Sequence, residues 1–259
     1  MLMRAALSWL MLPVYVWQGT RLRMRIERLL PADVPVSGIV GEEYNDDPLR
    51  VLVIGDSTVA SVGMEKLEDT FAYSVAQSVA KAHSMPVEWR SAGANSATSG
   101  ELRDFVLPNI DRRDWTHIFI SVGINDMKNF HLAGHFKRNF GTLLYALRTR
   151  FPDSEIIWTP IPNMKLCPAL PKRLAEVLAA RADVINAMGV RMCRERRAIH
   201  TTPVGDVDAS CFARDGFHPN GKGYRVWADH VAPWFKPDDA KRQEADAGAA
   251  QVTRLPRRA

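Results

Sequence analysis

Two short stretches of this sequence carry the residue types that acyl transfer needs. Ser57 follows a Gly-Asp pair, and His218 follows Asp215 by three residues. A serine hydroxyl becomes a good nucleophile when an imidazole accepts its proton, and a carboxylate fixes the tautomer of that imidazole. Because Asp215 and His218 lie three residues apart on a turn, they can meet without help from distant structure. The residues therefore predict a triad of Ser57, His218 and Asp215.

Two further clusters supply hydrogen-bond donors. The tetrahedral intermediate of acyl transfer needs donors aimed at its oxyanion. Gly93 permits close approach of its backbone N–H, and Asn125, in a Gly-Ile-Asn-Asp stretch, offers a neutral amide that does not compete as a base. Together with the N–H of Ser57, these residues predict an oxyanion hole of Ser57, Gly93 and Asn125.

Short apolar runs precede these clusters and have the length of strands. The predicted strands cover 50–54, 87–91, 117–122, 155–159 and a weaker 198–201. Amphipathic stretches of helix length separate them, at 71–83, 99–107, 134–150, 171–196 and 221–234. Apolar strands that alternate with helices predict a parallel sheet covered on both faces, with functional groups at the carboxyl ends of its strands. All four clusters are therefore expected on one rim of the sheet.

In this order, the four clusters resemble the motif blocks of the SGNH (GDSL-type) hydrolase family: Gly-Asp-Ser, a glycine, Gly-x-Asn-Asp and Asp-x-x-His. The resemblance covers residues 50–235 and implies a three-layer α/β/α sandwich with about five parallel strands in flavodoxin-like order. It implies Ser57 as nucleophile, Gly93 and Asn125 as oxyanion donors, and Asp215 and His218 as the remaining triad. Thr58 and Ser91 stand where the family more often has leucine and asparagine. The Gly-x-Ser-x-Gly motif of the α/β-hydrolases is absent.

The expected reaction is hydrolysis of a small-molecule carboxylic ester, acyl or lipid-like, by a serine esterase that needs no cofactor. Apolar residues in the loops after the third and fourth strands predict a pocket for a hydrophobic acyl chain, lined by Met127, Phe130, Met164 and Leu166. The same catalytic parts would serve a thioesterase, a carbohydrate deacetylase or an acyltransferase. A non-catalytic, membrane-tethered binding module is the alternative from a different class.

Other features favour neither a metal nor a nucleic acid. His131 and His135 have the spacing of a metal pair, but no third ligand accompanies them. The net charge of +5 comes with arginines crowded at the two ends, without a reader motif for nucleic acid. The cysteines at 167, 193 and 211 lack metal spacing and are expected to be small buried residues. A bridge between Cys167 and Cys211 is the alternative in an oxidising compartment.

Three regions follow from the composition: an N-terminal apolar and basic segment with a linker (1–48), the hydrolase domain (49–235) and a disordered charged tail (236–259). Residues 5–17 are apolar, but shorter than the ~20 residues that span a bilayer. Four arginines follow by residue 28, which favours a shallow membrane anchor through residues 5–28, with the domain on the cytoplasmic face. A cleaved signal peptide with export, or a helix packed on the domain, are the alternatives.

Overall fold

The computed structural model describes residues 12–25, 27–129, 131–205 and 207–237. Its strands are β1 (Ser37–Val40), β2 (Leu49–Gly55), β3 (Val87–Gly93), β4 (His117–Ser121), β5 (Glu155–Thr159) and β6 (Ile199–His200). Its α-helices are α1 (Leu12–Arg25), α2 (Phe71–His83), α3 (Ser99–Glu101), α4 (Ile124–Lys128), α5 (Ala133–Arg150), α6 (Lys172–Glu195) and α7 (Gly221–Val231). Single 3₁₀ turns lie at Leu67–Asp69, Leu107–Asn109, Met164–Leu166, Ala209–Cys211 and Ala232–Trp234.

The strands form one sheet in the order β1-β3-β2-β4-β5-β6. The five strands from β2 to β6 are parallel, and their order is the flavodoxin-like one that the resemblance implies. The predicted α/β fold is therefore confirmed. β1 pairs antiparallel with β3 at the edge of the sheet, within the segment predicted to be a linker. Three of the four residues of β1 are exposed. Because an exposed edge strand does not need a continuous apolar run, the sequence does not mark β1 as it marks the other strands.

The sheet separates two apolar cores, because alternate side chains of each central strand point to opposite faces. Leu52 and Ile54 of β2 belong to the core under α3, α5 and α6, whereas Val51 and Val53 belong to the core under α2 and α7. All four side chains are fully buried. The strands therefore carry continuous apolar runs, as strands covered on both faces do.

The helical stretch predicted at 99–107 changes its winding along its length. Thr98 caps the start through a capping box with Glu101. After α3 the chain forms a π turn (Leu102–Val106) and then a 3₁₀ turn (Leu107–Asn109), which contains Pro108. Proline has no N–H to donate, so it disfavours a regular continuation. The regular α-helix at this position is therefore limited to the short α3.

The N-terminal helix lies against α6, and Leu22 packs on the core beneath it. The chain that follows α1 runs beside the loop after β2, where Ala32 N donates to Ser61 O (3.1 Å) and Gly63 N donates to Leu30 O (2.9 Å). Within the described ranges, no helix is long and apolar enough to cross a membrane. Most of the predicted apolar segment, residues 5–11, and nearly all of the predicted tail, from residue 238, lie outside the described residues.

Candidate active site

Ser57 lies in a tight turn that begins as soon as β2 ends. Asp56 O accepts hydrogen bonds from Val59 N (3.1 Å) and Ala60 N (2.9 Å), so the chain reverses within four residues. Gly55 makes the turn possible, because a Cβ at that position would lie 2.5 Å from both Ser121 O and the side chain of Val59. The turn holds Ser57 at the carboxyl ends of the central strands, where functional groups of parallel sheets gather.

Asp215 and His218 come from a loop that is closed by its own hydrogen bonds. Ala213 N donates to His218 O (2.7 Å), and Asn220 N donates to Cys211 O (2.9 Å). One oxygen of Asp215, Oδ1, accepts from the backbone N–H groups of Phe217 (2.9 Å) and His218 (3.0 Å). The carboxylate thereby fixes the turn that carries the histidine.

The structure brings Ser57, His218 and Asp215 into one hydrogen-bonded line. Asp215 Oδ2 is 2.6 Å from His218 Nδ1, and His218 Nε2 is 3.1 Å from Ser57 Oγ. Burial acts to raise the pKa of Asp215, but the hydrogen bonds from His218 and from the Phe217 N–H outweigh it and lower that pKa below its ordinary value. An ionised carboxylate behind the imidazole is what general-base activation of a serine hydroxyl requires.

Asn125 also lies at this rim, on the first turn of α4. Its Nδ2 donates to Ala97 O (3.0 Å) and lies 3.3 Å from Asp56 Oδ2. Asp56 is buried, and this burial raises the pKa of its carboxyl group above the ordinary value, although hydrogen bonds from Thr58 act against it. The amide of Asn125 is therefore held between the turn with Ser57 and the loop after β3.

The N–H of Gly93 does not face Ser57. Ser91 N donates to Val36 O (2.7 Å), toward the β1 edge, and Ala94 N donates to Gly55 O (3.0 Å), toward β2. Because alternate amides of a strand point to opposite sides, the N–H of Gly93 points with that of Ser91, away from Ser57. A Cβ at Gly93 would lie 2.2 Å from Ala60 N. Gly93 therefore lets the turn with Ser57 pack against β3, and the neighbouring hydrogen bonds do not support the predicted oxyanion donor at this position.

The turn after β3 places other amides at the rim. Ala97 N donates to Ala94 O (3.1 Å), and Ser96 has a φ of 62°. Ala97 O accepts from Asn125, so this turn is next to the predicted donor. A left-handed backbone at a non-glycine residue is uncommon and is often found at functional turns. Asn95 and Ser96 are residue types that favour turns, but they do not mark a backbone donor in the sequence.

An apolar cleft opens beside Ser57 and His218, between the loop after β5 and the loop that carries the histidine. Its walls include Ile161, Met164, Leu166, Val204, Phe212 and Phe217. Trp227 lies in its lining and donates through Nε1 to Thr159 Oγ1 (3.1 Å). Met164 and Leu166 thus lie where the sequence predicts a pocket.

Of the other two predicted pocket residues, one lies in the core and one is outside the described residues. Met127 is fully buried in the core beneath α4 and is not part of the cleft lining, because the first turn of α4 points it inward. Phe130 lies outside the described residues. The apolar character of Met127 is therefore explained by packing, which the sequence alone does not distinguish from a pocket wall.

The remaining candidates are buried thiols and a histidine pair. Cys167, Cys193 and Cys211 are free and buried, and burial raises the pKa of the Cys167 thiol to about 11. The rings of His131 and His135 are 4.3 Å apart, and His131 Nδ1 is 3.4 Å from Asp126 Oδ1. Among the described residues, no group of three or more His, Cys, Asp or Glu side chains could hold a metal ion.

Solved structures share this fold at low sequence identity. A psychrotrophic esterase, EstA, from Pseudoalteromonas sp. has a TM-score of 0.56 at 16% identity, over 72% of this chain and 98% of that one. Est24, a carbohydrate acetylesterase from Sinorhizobium meliloti, has a TM-score of 0.52 at 16% identity, over 71% and 96%. A lipase from Streptomyces rimosus has a TM-score of 0.51 at 16% identity, over 70% and 99%. These likenesses describe the fold.

The family itself follows from the sequence. Residues 53–226 match the model of the GDSL-like lipase/acylhydrolase family, which is more than half of the chain. No curated protein sequence matches the chain. The matched region contains every strand of the parallel sheet in whole or in part, the turn with Ser57 and the loop with His218. The chain therefore belongs to the GDSL-like lipase/acylhydrolase family and is an ester hydrolase.

Proposed function

We propose that the chain is a serine esterase in which Ser57, His218 and Asp215 act as the catalytic triad. The observation that carries the proposal is the contact of 3.1 Å between Ser57 Oγ and His218 Nε2, with Asp215 behind the imidazole. Ser57 Oγ attacks the ester carbonyl while His218 accepts its proton. The same proton passes to the leaving alcohol as the tetrahedral intermediate collapses to an acyl-enzyme. Water, deprotonated by His218, then releases the carboxylic acid and restores Ser57.

The oxyanion would be held by three donors from three strand ends. We assign the N–H of Ser57, the amide of Asn125 and a backbone N–H of the turn at 94–97 to this role. Asn125 would keep its shorter hydrogen bond, to Ala97 O, and share its second N–H, which makes only a 3.3 Å contact with Asp56 Oδ2, with the oxyanion. Preorganised donors of this kind are worth several kcal/mol each in a water-poor site, on the order of 2.7–4 kcal/mol in one measured case.

The apolar cleft favours an ester with a hydrophobic acyl chain. Its walls are mostly aliphatic and aromatic side chains, and Ser57 and His218 are among the residues that line it. Burying methylene groups in such a cleft contributes about 0.8 kcal/mol each, so a longer chain should bind more tightly until it reaches the end of the cleft. Two proteins with the same fold are named an esterase (EstA) and a lipase (from Streptomyces rimosus). Both names are consistent with this substrate class.

Labelling with an alkylphosphonate tests the triad directly. EstA has a structure inhibited by monoethylphosphonate. The wild-type chain should be labelled at Ser57, and Ser57→Ala should be unlabelled, with turnover of p-nitrophenyl esters reduced by a factor that can reach about 10⁶. Ser78→Ala, on α2 and remote from the cleft, is the control and should behave like wild type. A Ser57→Ala variant with wild-type turnover would refute the triad, and an unlabelled wild type would favour the non-catalytic binding module.

A p-nitrophenyl ester series from acetate to palmitate separates the substrate classes. We expect kcat/KM to rise with chain length and then fall once the chain exceeds the cleft. A preference for acetate would instead favour a deacetylase, so acetylated sugars form a second arm. Acyl thioesters and an added alcohol acceptor form the third and fourth arms, which test for a thioesterase and an acyltransferase on the same site.

A further inference from the structure

The outer face of α1 combines exposed apolar and basic side chains. Trp17, Arg21 and Met24 are spaced four and three residues apart, so they lie within about 60° of arc on one side of the helix. Trp17 is 59% exposed and Met24 is 76% exposed. The guanidinium of Arg21 lies over the Trp17 ring, 5.3 Å from its centroid. Leu22 lies on the opposite side and packs against the protein core. The helix therefore has one face that packs on the protein and another that the described part of the chain leaves exposed.

The chain directly after α1 carries a further exposed apolar side chain. Leu30 is 78% exposed, although its neighbour Leu29 is buried. Trp17, Met24 and Leu30 are three of the eight large apolar side chains that are exposed in the described part of the chain. Single exposed apolar residues are ordinary on a protein surface, but here three of them fall within fourteen residues. We call Trp17, Arg21, Met24, Arg28 and Leu30 the N-terminal face.

The charge around the N-terminal face is one-sided. Between residues 12 and 32 the sequence has four arginines and a single acidic residue, Glu27. Glu27 is already paired, because its Oε2 lies 3.0 Å from Nε of Arg214. Arg21 and Arg28 are exposed and face no carboxylate among the described ion pairs. The surface that complements this segment is therefore negatively charged.

We propose that the N-terminal face docks on an anionic phospholipid surface, with α1 lying in the interface. Tryptophan, methionine and leucine can enter the boundary between headgroups and acyl chains, while arginines keep their charges among the phosphates. The face belongs to a convex helix, whereas a protein partner that received it would need a groove. The sequence before it, residues 5–17, is apolar as well. A shallow helix of this composition needs no membrane span, in agreement with the length of the apolar run.

The docked segment is connected to both loops that carry the proposed triad. Gly63, six residues after Ser57, donates its N–H to Leu30 O (2.9 Å), and Leu29 packs directly against Gly63. Arg214, the partner of Glu27, precedes Asp215 in the chain. A membrane bound to the N-terminal face would therefore lie at a fixed position relative to the active site. The docking itself does not depend on the proposed function.

Vesicle flotation tests the docking. The full-length protein is mixed with vesicles of equal parts phosphatidylglycerol and phosphatidylcholine, or with phosphatidylcholine alone, at low and high salt. It should float with the anionic vesicles and much less with the neutral ones, and high salt should weaken the binding. Charge reversal in Arg21→Glu/Arg28→Glu should lower the partition coefficient by about tenfold or more, since each basic residue near an anionic surface contributes about fivefold.

Matched variants separate this face from the rest of the surface. Trp17→Ser/Met24→Ser/Leu30→Ser should also lose binding to anionic vesicles. Two control variants alter exposed residues elsewhere on the surface: Arg112→Glu/Arg138→Glu matches the charge reversal, and Phe105→Ser/Tyr145→Ser matches the apolar change. Both should bind vesicles like wild type. Circular dichroism and hydrolysis of a soluble short ester check that each variant is folded.

Two results would overturn the docking. The first is wild-type flotation by both variants of the N-terminal face. The second is a dimer of the wild type in sedimentation that becomes a monomer in those variants while flotation stays absent, which would make the face a protein contact. Ser57→Ala should float like wild type, so failure of the proposed esterase function would leave this result unchanged.

Discussion

At the scale of single residues, the proposed triad joins two loops that are far apart in the sequence. Ser57 and His218 are separated by 161 positions, whereas Asp215 and His218 are three apart. The near pair is predictable because a short turn can close on itself. The distant pair follows only when the sheet order is known, since the order decides which strand ends share a rim.

Removing the amide of Asn125 tests its role at the oxyanion. Asn125→Ala should lower turnover by about 10²–10³, the range for one donor in an oxyanion hole, with a small change in KM. Asn109→Ala removes an exposed amide outside the site and should leave both constants unchanged. A change confined to KM would make Asn125 a substrate-binding residue, with no special role in the transition state.

The carboxylate of Asp215 also contributes to stability in a pH-dependent way. Its pKa is lowered in the folded protein, so its stabilisation is fully present above the ordinary value of 3.8 and is lost as the pH falls through the folded pKa. Asp215→Asn should therefore be less stable than wild type at neutral pH, by about 1–3 kcal/mol. Thermal melts between pH 7 and pH 3 should show this difference shrinking toward the acid end. Asp153→Asn, on an exposed turn, serves as the control, and a difference independent of pH would contradict the interpretation.

At the scale of elements, the positions of the strands were largely predictable from the sequence, but the directions of their backbone N–H groups were not. The apolar runs of β2 to β5 locate the strands to within about one or two residues, because strands covered on both faces tolerate few polar side chains. β1 is exposed on one edge and carries no such run. The direction of the Gly93 N–H depends on the register of β3 against its neighbours, which involves partners far away in the sequence. Whether Met127 faces the core or the cleft likewise depends on how α4 turns.

Gly93→Ala distinguishes packing from oxyanion binding. The new Cβ would overlap the backbone of Val59 and Ala60, so the turn with Ser57 must move away from β3. We expect a loss of stability of about 1–3 kcal/mol together with a loss of turnover. Gly134→Ala places a Cβ in open space near the start of α5 and should be neutral or slightly stabilising. A Gly93→Ala variant with an unchanged melting temperature would contradict the packing role.

The cleft walls should set the preferred chain length. Leu166→Trp adds bulk to one wall and should lower kcat/KM for long p-nitrophenyl esters while leaving acetate nearly unaffected. Each methylene that no longer fits would cost about 0.8 kcal/mol, or roughly a factor of four. Leu132→Trp makes the same change at an exposed position and should leave the series unaltered. An equal loss for all chain lengths would place the acyl chain outside this cleft.

At the scale of the whole molecule, the N-terminal segment is both a proposed membrane contact and a part of the domain. Leu29 is buried and Leu30 O accepts from Gly63, so these residues support the loop after Ser57. A chain that starts at residue 26 should leave the membrane fraction and keep its activity on soluble short esters. A chain that starts at residue 33 should lose stability as well, because it lacks these contacts. Cell fractionation and thermal melts of both chains measure this prediction.

The same prediction includes the side of the membrane on which the domain lies. The arginines that follow the apolar run favour a cytoplasmic domain, so trypsin added to intact spheroplasts should leave the enzyme uncut. Digestion there, with a mature chain that begins near Gly19, would indicate a cleaved signal peptide and export. The bridge between Cys167 and Cys211 would then become relevant, although both thiols are free in the structure.

The loop from Cys211 to Asn220 has one more consequence. Both oxygens of Asp215 are occupied, one by His218 and the other by two amides of the same loop, and the loop closes on itself. The histidine and the aspartate therefore behave as one rigid body, and the turn with Ser57 behaves as another. The proposed chemistry then has a single geometric variable, the separation of these two bodies. Gly223 helps to set this separation because it has no side chain. A Cβ there would lie 2.2 Å from Cys211 O and would push the loop outward. Adaptive changes in this enzyme should therefore cluster at the contacts that set that separation, leaving the loop itself unchanged.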